Sequence, residues 1–455
     1  MYGKIKNIHF VGIGGIGMSG IAEILLNLDY SVSGSDIKES STVNRLRDIG
    51  AKISIGHRGK NIENCDVVVI SSAISSENPE ISAAKEKGIP VIPRAEMLAE
   101  LMRLKFGIAV AGSHGKTTTT SMVSTVLSYA GLDPTIVVGG RVKTLGSNAR
   151  LGHGEFMVVE ADESDGSFLS LSPVISVVTN LDREHLDHYK NMDELVNCFS
   201  DFINKLPFYG LAVICIDSPW VDSLIKNSNK RIITYGFSEN AELRAINIEI
   251  NGFQTNFDIE LNKELLGNVE LNVPGEHNAL NALAAIAIGI ELGIDVEKII
   301  NGLEEFKGID RRMQVKGETN DIIFLDDYAH HPEEIKVTLK AIKASLDRRL
   351  VLIFQPHRYT RTSLLFEEFV DALKNVDVLL ITDIYPAGES PVNGTNSEKL
   401  VNAIRKKSVG NVIYVDEHKN LVNIVKNLIK PNDAVITFGA GNVWRYGEEI
   451  LKEIS

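Results

Sequence analysis

A chain of 455 residues, 44% hydrophobic and 24% charged, exceeds one ordinary core and suits about three domains. Its net charge of -13 excludes the basic footprint of a nucleic-acid partner. Cys65, Cys198 and Cys215 are the only cysteines and have no metal spacing, which excludes a disulfide framework and fits a reducing compartment.

Lys4-Ile5-Lys6 runs straight into glycines without an apolar signal region, and no run of about 18 apolar residues could span a bilayer. The expectation is a cytoplasmic protein without membrane insertion. A first strand, Ile8-His9-Phe10-Val11, leads into Gly12-Ile13-Gly14-Gly15-Ile16-Gly17 and then a helix. A second strand, Ser31-Val32-Ser33-Gly34, ends at Ser35-Asp36. This is the G-x-G-x-x-G fingerprint with an acid about where a ribose hydroxyl would sit, which alone suggests NAD or FAD. The physical requirement is only a diphosphate on a helix N-terminus, so Gly14, Gly15, Ile16 and Gly17 could hold any nucleotide diphosphate. The run Val67-Val68-Val69-Ile70 ends in the hydroxyls of Ser71 and Ser72, and Gly88 to Arg103 closes this unit.

The second unit starts with the buried-strand run Phe106-Gly107-Ile108-Ala109-Val110. Gly112-Ser113-His114-Gly115-Lys116-Thr117-Thr118 follows, and then a helix. A glycine loop between strand and helix cradles phosphate with backbone amides and the positive helix end. Lys116 can reach the outer phosphates and the Thr117 hydroxyl can bind Mg²⁺, although Val110 stands where the first glycine of a P-loop is expected. The plain alternative is a glycine turn capping a core helix. Phe156-Met157-Val158-Val159 ends at Glu160 and the acids Asp162, Glu163 and Asp165. Val174-Ile175-Ser176-Val177-Val178 ends in Asn180, Asp182, Glu184, His185 and Asp187. Three strands ending in a phosphate loop, an acid cluster and a His/Asp cluster converge where open α/β sheets bind ligands. Otherwise the acids form a solvated loop and His185 packs at the surface.

Residues 236 to 272 read as β-rich and insertion-like. Pro274-Gly275-Glu276-His277-Asn278 then opens an Ala-rich helix that brings Asn278 and Asn281 to one face. Mid-helix asparagines suggest a ligand edge, or simple capping. After Asp310-Arg311-Arg312-Met313, strand and helix alternate again from Ile322. Strand tips there carry Asp326 to Pro332, Gln355 to Arg361, Asp383 to Glu389 and Gly439 to Asn442, a third nucleotide-binding-like fold.

Taken together and in order, the loop Gly112–Thr120, the acids Glu160–Asp165, His277-Asn278-Ala279-Leu280-Asn281, Arg311-Arg312, Asp326–Pro332 and Gln355–Arg361 resemble the Mur ligases of peptidoglycan synthesis. The resemblance covers the whole chain. It implies an α/β fold of three domains, each a mainly parallel sheet with helices: Rossmann-like at 1–105, P-loop-like and ATP-binding at 106–310, Rossmann-like and amino-acid-binding at 311–455. Within the family, Gly12–Gly20 followed by Ile21-Ala22-Glu23 resembles the branch that joins L-alanine to UDP-N-acetylmuramate.

That resemblance implies ATP and Mg²⁺ (or Mn²⁺) as cofactors, an acyl-phosphate route, and small-molecule partners only, in a monomer or dimer. It assigns Gly14, Gly15, Ile16, Gly17, Asp36, Ser71 and Ser72 to the UDP-sugar. ATP falls to Gly112, Ser113, His114, Gly115, Lys116, Thr117, Thr118, His277, Asn278, Asn281 and Arg312, with His277 able to stack on the adenine. Thr117, Glu160 and His185 fall to metal, and Tyr328, His330, Arg358 and Arg361 to the amino acid. Lys116, Arg312 and His330 are the expected catalytic groups.

Overall fold

The computed structural model describes residues 5–71, 73–138, 149–184, 188–416 and 418–455, with the backbone alone at 16, 418 and 419. The chain folds into two compact units. One comprises Met1–Asn247, Phe257–Val269 and Ala279–Lys307, the other Ile248–Asn256, Glu270–Asn278 and Gly308–Ser455. Three sheets, mainly parallel and flanked by helices, give the expected α/β class.

The first sheet contains β1 (Asn7–Val11), β2 (Ser31–Asp36), β3 (Lys52–Ile55), β4 (Val67–Ile70) and β5 (Val91–Pro93), in the order β3-β2-β1-β4-β5, all parallel. The order reverses at β1, so the Gly12 loop at its carboxyl end occupies the topological switch point where doubly wound folds bind ligands. Val67, Val68 and Val69 are buried, as a strand covered on both faces requires.

The second sheet contains β6 (Phe106–Ala111), β7 (Thr135–Val137), β8 (Ala149–Arg150), β9 (Phe156–Glu160), β10 (Ile175–Val178), β11 (Leu211–Cys215), β12 (Arg231–Gly236), β13 (Leu243–Asn251), β14 (Gln254–Leu261) and β15 (Glu264–Leu271). Its order is β15-β14-β13-β12-β11-β10-β6-β9-β7-β8. The β6 strand lies between β10 and β9 and is parallel to both, so the three functional strand ends read from the sequence are neighbours. One apolar core runs from Ile8, Phe10 and Ile21 through Ala109 and Val159 to Phe168, Phe199 and Phe202.

The third sheet contains β16 (Gln314–Thr319), β17 (Ile322–Asp327), β18 (Arg349–Phe354), β19 (Val378–Thr382), β20 (Asn411–Val415) and β21 (Asp433–Phe438), ordered β16-β17-β21-β18-β19-β20. All pairs are parallel except β16 with β17, an antiparallel edge strand that the sequence reading did not contain. Among the described residues, no helix is long and apolar enough to cross a membrane.

Candidate active site

The phosphate loop leaves β6 and enters the helix Lys116–Tyr129 through Gly115, whose left-handed backbone (φ 81°) suits glycine. Gly112 is also left-handed (φ 131°), and a side chain there would collide with the Thr179 hydroxyl. The loop is tied to the end of β10. The His114 amide donates to Asn180 Oδ1 (2.8 Å), Thr179 Oγ1 donates to the His114 carbonyl (2.6 Å), and the Asp182 amide donates to Ser113 Oγ (2.8 Å). The His114 ring lies 3.2 Å from Asp182 and 3.9 Å from Glu184. Thr118, in the first turn of the helix, is half-buried.

Lys116 Nζ donates to the carbonyls of Gly112 (2.7 Å) and Ser113 (3.1 Å) and to Glu163 Oε1 (2.8 Å). Glu163 is buried, and desolvation pushes its carboxyl up to about 7 against the pull of Lys116. Burial works against the Lys116 ammonium too, but Glu163, Glu184 and Asp162 hold it protonated. Glu163 stood in the acid cluster read from the sequence without being singled out as a partner for Lys116.

Thr117 Oγ1 lies 2.9 Å from both carboxylate oxygens of Glu160 at the tip of β9. A hydroxyl and a carboxylate are hard oxygen donors, a set that fits Mg²⁺ or Mn²⁺. His185, expected at a second ion, lies outside the described residues. Asn281 Oδ1 accepts from Thr119 Oγ1 (3.1 Å) and lies where a Cβ on Gly115 would come within 2.5 Å of it, so this asparagine edges the phosphate loop.

At the β1 switch point, Asp36 Oδ2 accepts the Gly14 amide (2.8 Å), and the Ser35 carbonyl accepts those of Gly12 (2.8 Å) and Ile13 (3.0 Å). The acid read from the sequence as a ribose ligand thus shapes the glycine loop itself. Gly15 caps the helix Ile16–Asn27, which has no side-chain cap and no acid in its first turn. Ser71 follows β4 and its carbonyl accepts the Ile74 amide (3.1 Å); Ser72 lies outside the described residues.

Under the Ser35 side chain lies a buried polar knot that the sequence did not reveal. Ser35 Oγ donates to Glu80 Oε2 (2.6 Å), His9 and His57 approach the same oxygen (3.6 and 3.5 Å), and Asn61 Nδ2 donates to Oε1 (2.5 Å). Burial opposes the Glu80 charge, but His9, Ser35 and Asn61 bring its carboxyl down to about 2.

The other unit carries a chain of rings and cations beyond β17 and β18. The guanidinium carbons of Arg311 and Arg312 lie 4.9 and 5.3 Å from the Tyr328 ring centre, within cation–π range. Tyr328 meets His330 edge-on (5.2 Å), His330 meets His357 (5.8 Å), and His357 stacks on Tyr385 (5.5 Å, 8°). His330 Nδ1 lies 3.0 Å from the Tyr328 carbonyl and 3.1 Å from Glu334. Burial, then His330, Arg361 and Arg358, push His357 down to about 3, so it stays neutral and its Nδ1 faces Arg361 Nη1 at 3.5 Å.

Arg312 pairs with Glu334 (3.3 Å). Burial and the Arg312 charge lower His277 to about 4, leaving a neutral ring. Asn278 Nδ2 donates to the Pro274 carbonyl (2.7 Å), which ties the first turn of its helix to the preceding proline. The Arg311 loop is left-handed at Arg311 and Met313 and is pinned by Met313 N–H to Asp327 Oδ2 (2.7 Å) and Gln314 Nε2 to Asp310 Oδ1 (3.1 Å).

A glycine loop at the switch point of one sheet, a strand–glycine–helix loop facing paired acids, and, in the other unit, a cationic cluster at strand ends are features of a nucleotide-dependent ligase, and the chain belongs to the Mur ligase family. Its catalytic-domain description matches residues 7–106, the Mur ligase middle domain residues 110–289, and the glutamate ligase domain residues 311–441. A protein from Geotalea uraniireducens named UDP-N-acetylmuramate–L-alanine ligase is 55% identical over 454 residues, covering 100% of this chain and 99% of that one. The crystal structure of UDP-N-acetylmuramate-alanine ligase MurC from Thermotoga maritima superposes with a TM-score of 0.84 at 29% identity, covering 99% of each chain. A murein peptide ligase from Psychrobacter arcticus gives a TM-score of 0.72 at 25% identity over 99% of this chain and 98% of that one.

Proposed function

We propose that this chain joins L-alanine to the lactyl carboxylate of UDP-N-acetylmuramate, splitting ATP to ADP and phosphate. A carboxylate and an amine do not condense in water at useful rates, so the carboxylate needs activation. The γ-phosphoryl group passes to it, the alanine amine attacks the resulting acyl phosphate, and phosphate leaves. Such chemistry asks the protein for positioning and charge neutralisation rather than for a nucleophile.

The observation that carries this reading is the convergence of Lys116, Thr117, Glu160 and Glu163 on the ends of the neighbouring strands β6 and β9. In this reading Lys116 exchanges Glu163 for the γ-phosphate, while Thr117 and Glu160 hold a divalent ion. When bound, that ion supplies charge neutralisation to the phosphates. Asn278 and Asn281 serve the adenine, and neutral His277 can stack on it. Arg312 is assigned to the transferring phosphate. Arg358 and Arg361 hold the alanine carboxylate, with Tyr328 and His330 beside the amine. His330 can accept its proton, although an amine arriving neutral makes a dedicated base optional.

A relative that attaches a whole peptide to the same sugar nucleotide would share the ATP residues. The Gly12–Gly20 opening and the 55% identity to proteins named alanine ligases favour alanine. The deciding assay is phosphate release with ATP, UDP-N-acetylmuramate and a panel of amino acids beside the tripeptide. Release that depends on L-alanine and the sugar nucleotide together is expected. Turnover with the tripeptide but not alanine would overturn the reading.

A further inference from the structure

The helix Tyr359–Leu364 has six residues, too few to hold its own shape, because nucleating a first turn is costly and short isolated helices do not persist in water. Its N-cap is Arg358, in a left-handed backbone (φ 70°), and a guanidinium has no acceptor to offer the orphan amides of the first turn. No acid stands in that turn either. The cap comes instead from a residue 29 positions beyond Thr360. Glu389 Oε1 accepts the Thr360 hydroxyl (2.7 Å), and Oε2 accepts the Thr360 amide (3.1 Å). One half-buried carboxylate therefore does for the second helical residue what an N-cap side chain usually does.

A tight turn holds Glu389 for this contact. Its amide donates to the Pro386 carbonyl (2.9 Å), and the two residues between, Ala387 (φ 47°) and Gly388 (φ 89°), are both left-handed. Glycine adopts that backbone freely, but alanine does so against its preference, and such backbone persists where the surroundings fix it. Ahead of the turn, the Tyr385 amide donates to the Pro356 carbonyl (2.8 Å) and the Arg358 amide to the Tyr385 carbonyl (2.8 Å), while the Tyr385 ring stacks on His357. The segment after β19 thus grips the segment after β18 on both sides of Arg358. Thr360, the residue that Glu389 takes hold of, lies between Arg358 and Arg361 in the chain.

We propose that Glu389 is a positioning residue for the amino-acid substrate. It fixes the first turn of the helix that spaces Arg358 from Arg361, so that both guanidinium groups converge on one carboxylate, and it touches no substrate itself. The inference rests on the reading that these arginines hold the carboxylate of alanine, and adds how a helix too short to stand alone presents them. Arginine grips a carboxylate through a planar fork, and such a contact tolerates little displacement.

The test is steady-state kinetics of Glu389→Ala, Glu389→Gln, Arg358→Ala, Arg361→Ala and the double variant Arg361→Ala/Glu389→Ala, with each substrate varied in turn and melting temperatures measured alongside. Glu389→Ala should raise the KM for alanine about 10-fold, the scale of one charge-assisted bond. Its kcat and its KM for ATP should stay within about threefold of wild type, since only the grip on alanine is loosened. Glu389→Gln keeps an acceptor oxygen without the charge and should recover part of the loss. Removing Glu389 from Arg361→Ala should cost much less than removing it from the wild type, because residues that act as one unit are not additive. If Glu389→Ala does not fold, the glutamine variant carries the same comparison, alone and with Arg361→Ala.

An unchanged KM for alanine in folded Glu389→Ala would overturn the proposal and leave Glu389 a helix cap only, whatever the melting temperature does. So would equal penalties in the wild-type and Arg361→Ala backgrounds, which would mean that Glu389 acts independently of that arginine. If Arg358→Ala and Arg361→Ala themselves leave the KM for alanine unchanged, the reading beneath the proposal fails instead, and the two failures are thus told apart.

Discussion

Lys116 Nζ lies 2.8 Å from Glu163 Oε1, so the cation expected at the phosphates rests against a buried carboxylate. Breaking one side of such a pair leaves a charge in a dry place, and the remaining group responds by changing its protonation.

The first prediction follows from that pair. Lys116→Ala should lower turnover by on the order of 10²–10³-fold or more, the usual cost of one preorganised transition-state contact. It should also make stability fall with rising pH. The folded Glu163 carboxyl sits above its ordinary value already, at about 7, and losing the ammonium raises it further. A carboxyl raised on folding destabilises the fold once the unfolded chain ionises, and the deficit grows until the folded group ionises too. The melting-temperature gap between wild type and Lys116→Ala should therefore be wider at pH 8.5 than at pH 6. A constant gap, or unchanged phosphate release by a folded variant, would count against the pair.

Glu80 shows the opposite sign. Its folded carboxyl is depressed to about 2 from an ordinary 4.5, so its stabilisation is present above the ordinary value and is lost as pH falls toward 2. Glu80→Gln should melt below wild type at pH 7, and the difference should shrink between pH 4.5 and pH 3. Thermal scans of both proteins across that range check it. A difference that stays fixed would mean that Glu80 acts through shape alone.

The G-x-G-x-x-G fingerprint should not confer NAD binding. Asp36 is engaged with the Gly14 amide at 2.8 Å, so it builds the loop. Titration of the full chain should show UDP-N-acetylmuramate binding and no NADH binding. Asp36→Asn should weaken the sugar nucleotide about 10-fold on the magnitude of one charge-assisted bond. Micromolar NADH affinity with no sugar-nucleotide affinity would reverse the assignment.

The parts legible in the sequence are those encoded by local pattern. Val67–Ile70, Leu350–Phe354 and Ala434–Ile436 are continuous apolar runs, and both loops read as phosphate cradles carry glycines between a strand and a helix. The edge strand β16 escaped because Gln314–Thr319 is polar, half-exposed and irregular between Val315 and Gly317. Glu163 escaped as a partner because its approach to Lys116 depends on a turn that ends in left-handed Gly166, not on spacing. Glu80 reaches the end of β2 from a helix that begins after β4, and periodicity carries no signal of such a contact.

The last prediction concerns Arg358 and Arg361, which should dominate recognition of alanine. Arg358 has a left-handed backbone (φ 70°) as the residue before the helix Tyr359–Leu364, and its amide donates to the Tyr385 carbonyl (2.8 Å). That bond joins the tip of β18 to the tip of β19. Arg361 lies one turn on, against the neutral His357 ring. The alternative is that these arginines are surface charges or pair with Glu367 or Glu368, of which Glu367 is paired with Lys407 at 2.9 Å. The alanine methyl contributes only about 1 kcal/mol by burial, whereas each charge-assisted bond to its carboxylate is worth about 1.5–3 kcal/mol. Arg358→Ala or Arg361→Ala should therefore raise the KM for alanine roughly 10- to 100-fold. The KM values for ATP and UDP-N-acetylmuramate should move much less, because the groups assigned to them lie mainly outside 311–455. Steady-state kinetics with each substrate varied in turn decides the matter. A pure loss of ATP affinity would transfer both arginines to the phosphate site, and no change in either variant would remove them from the amino-acid site.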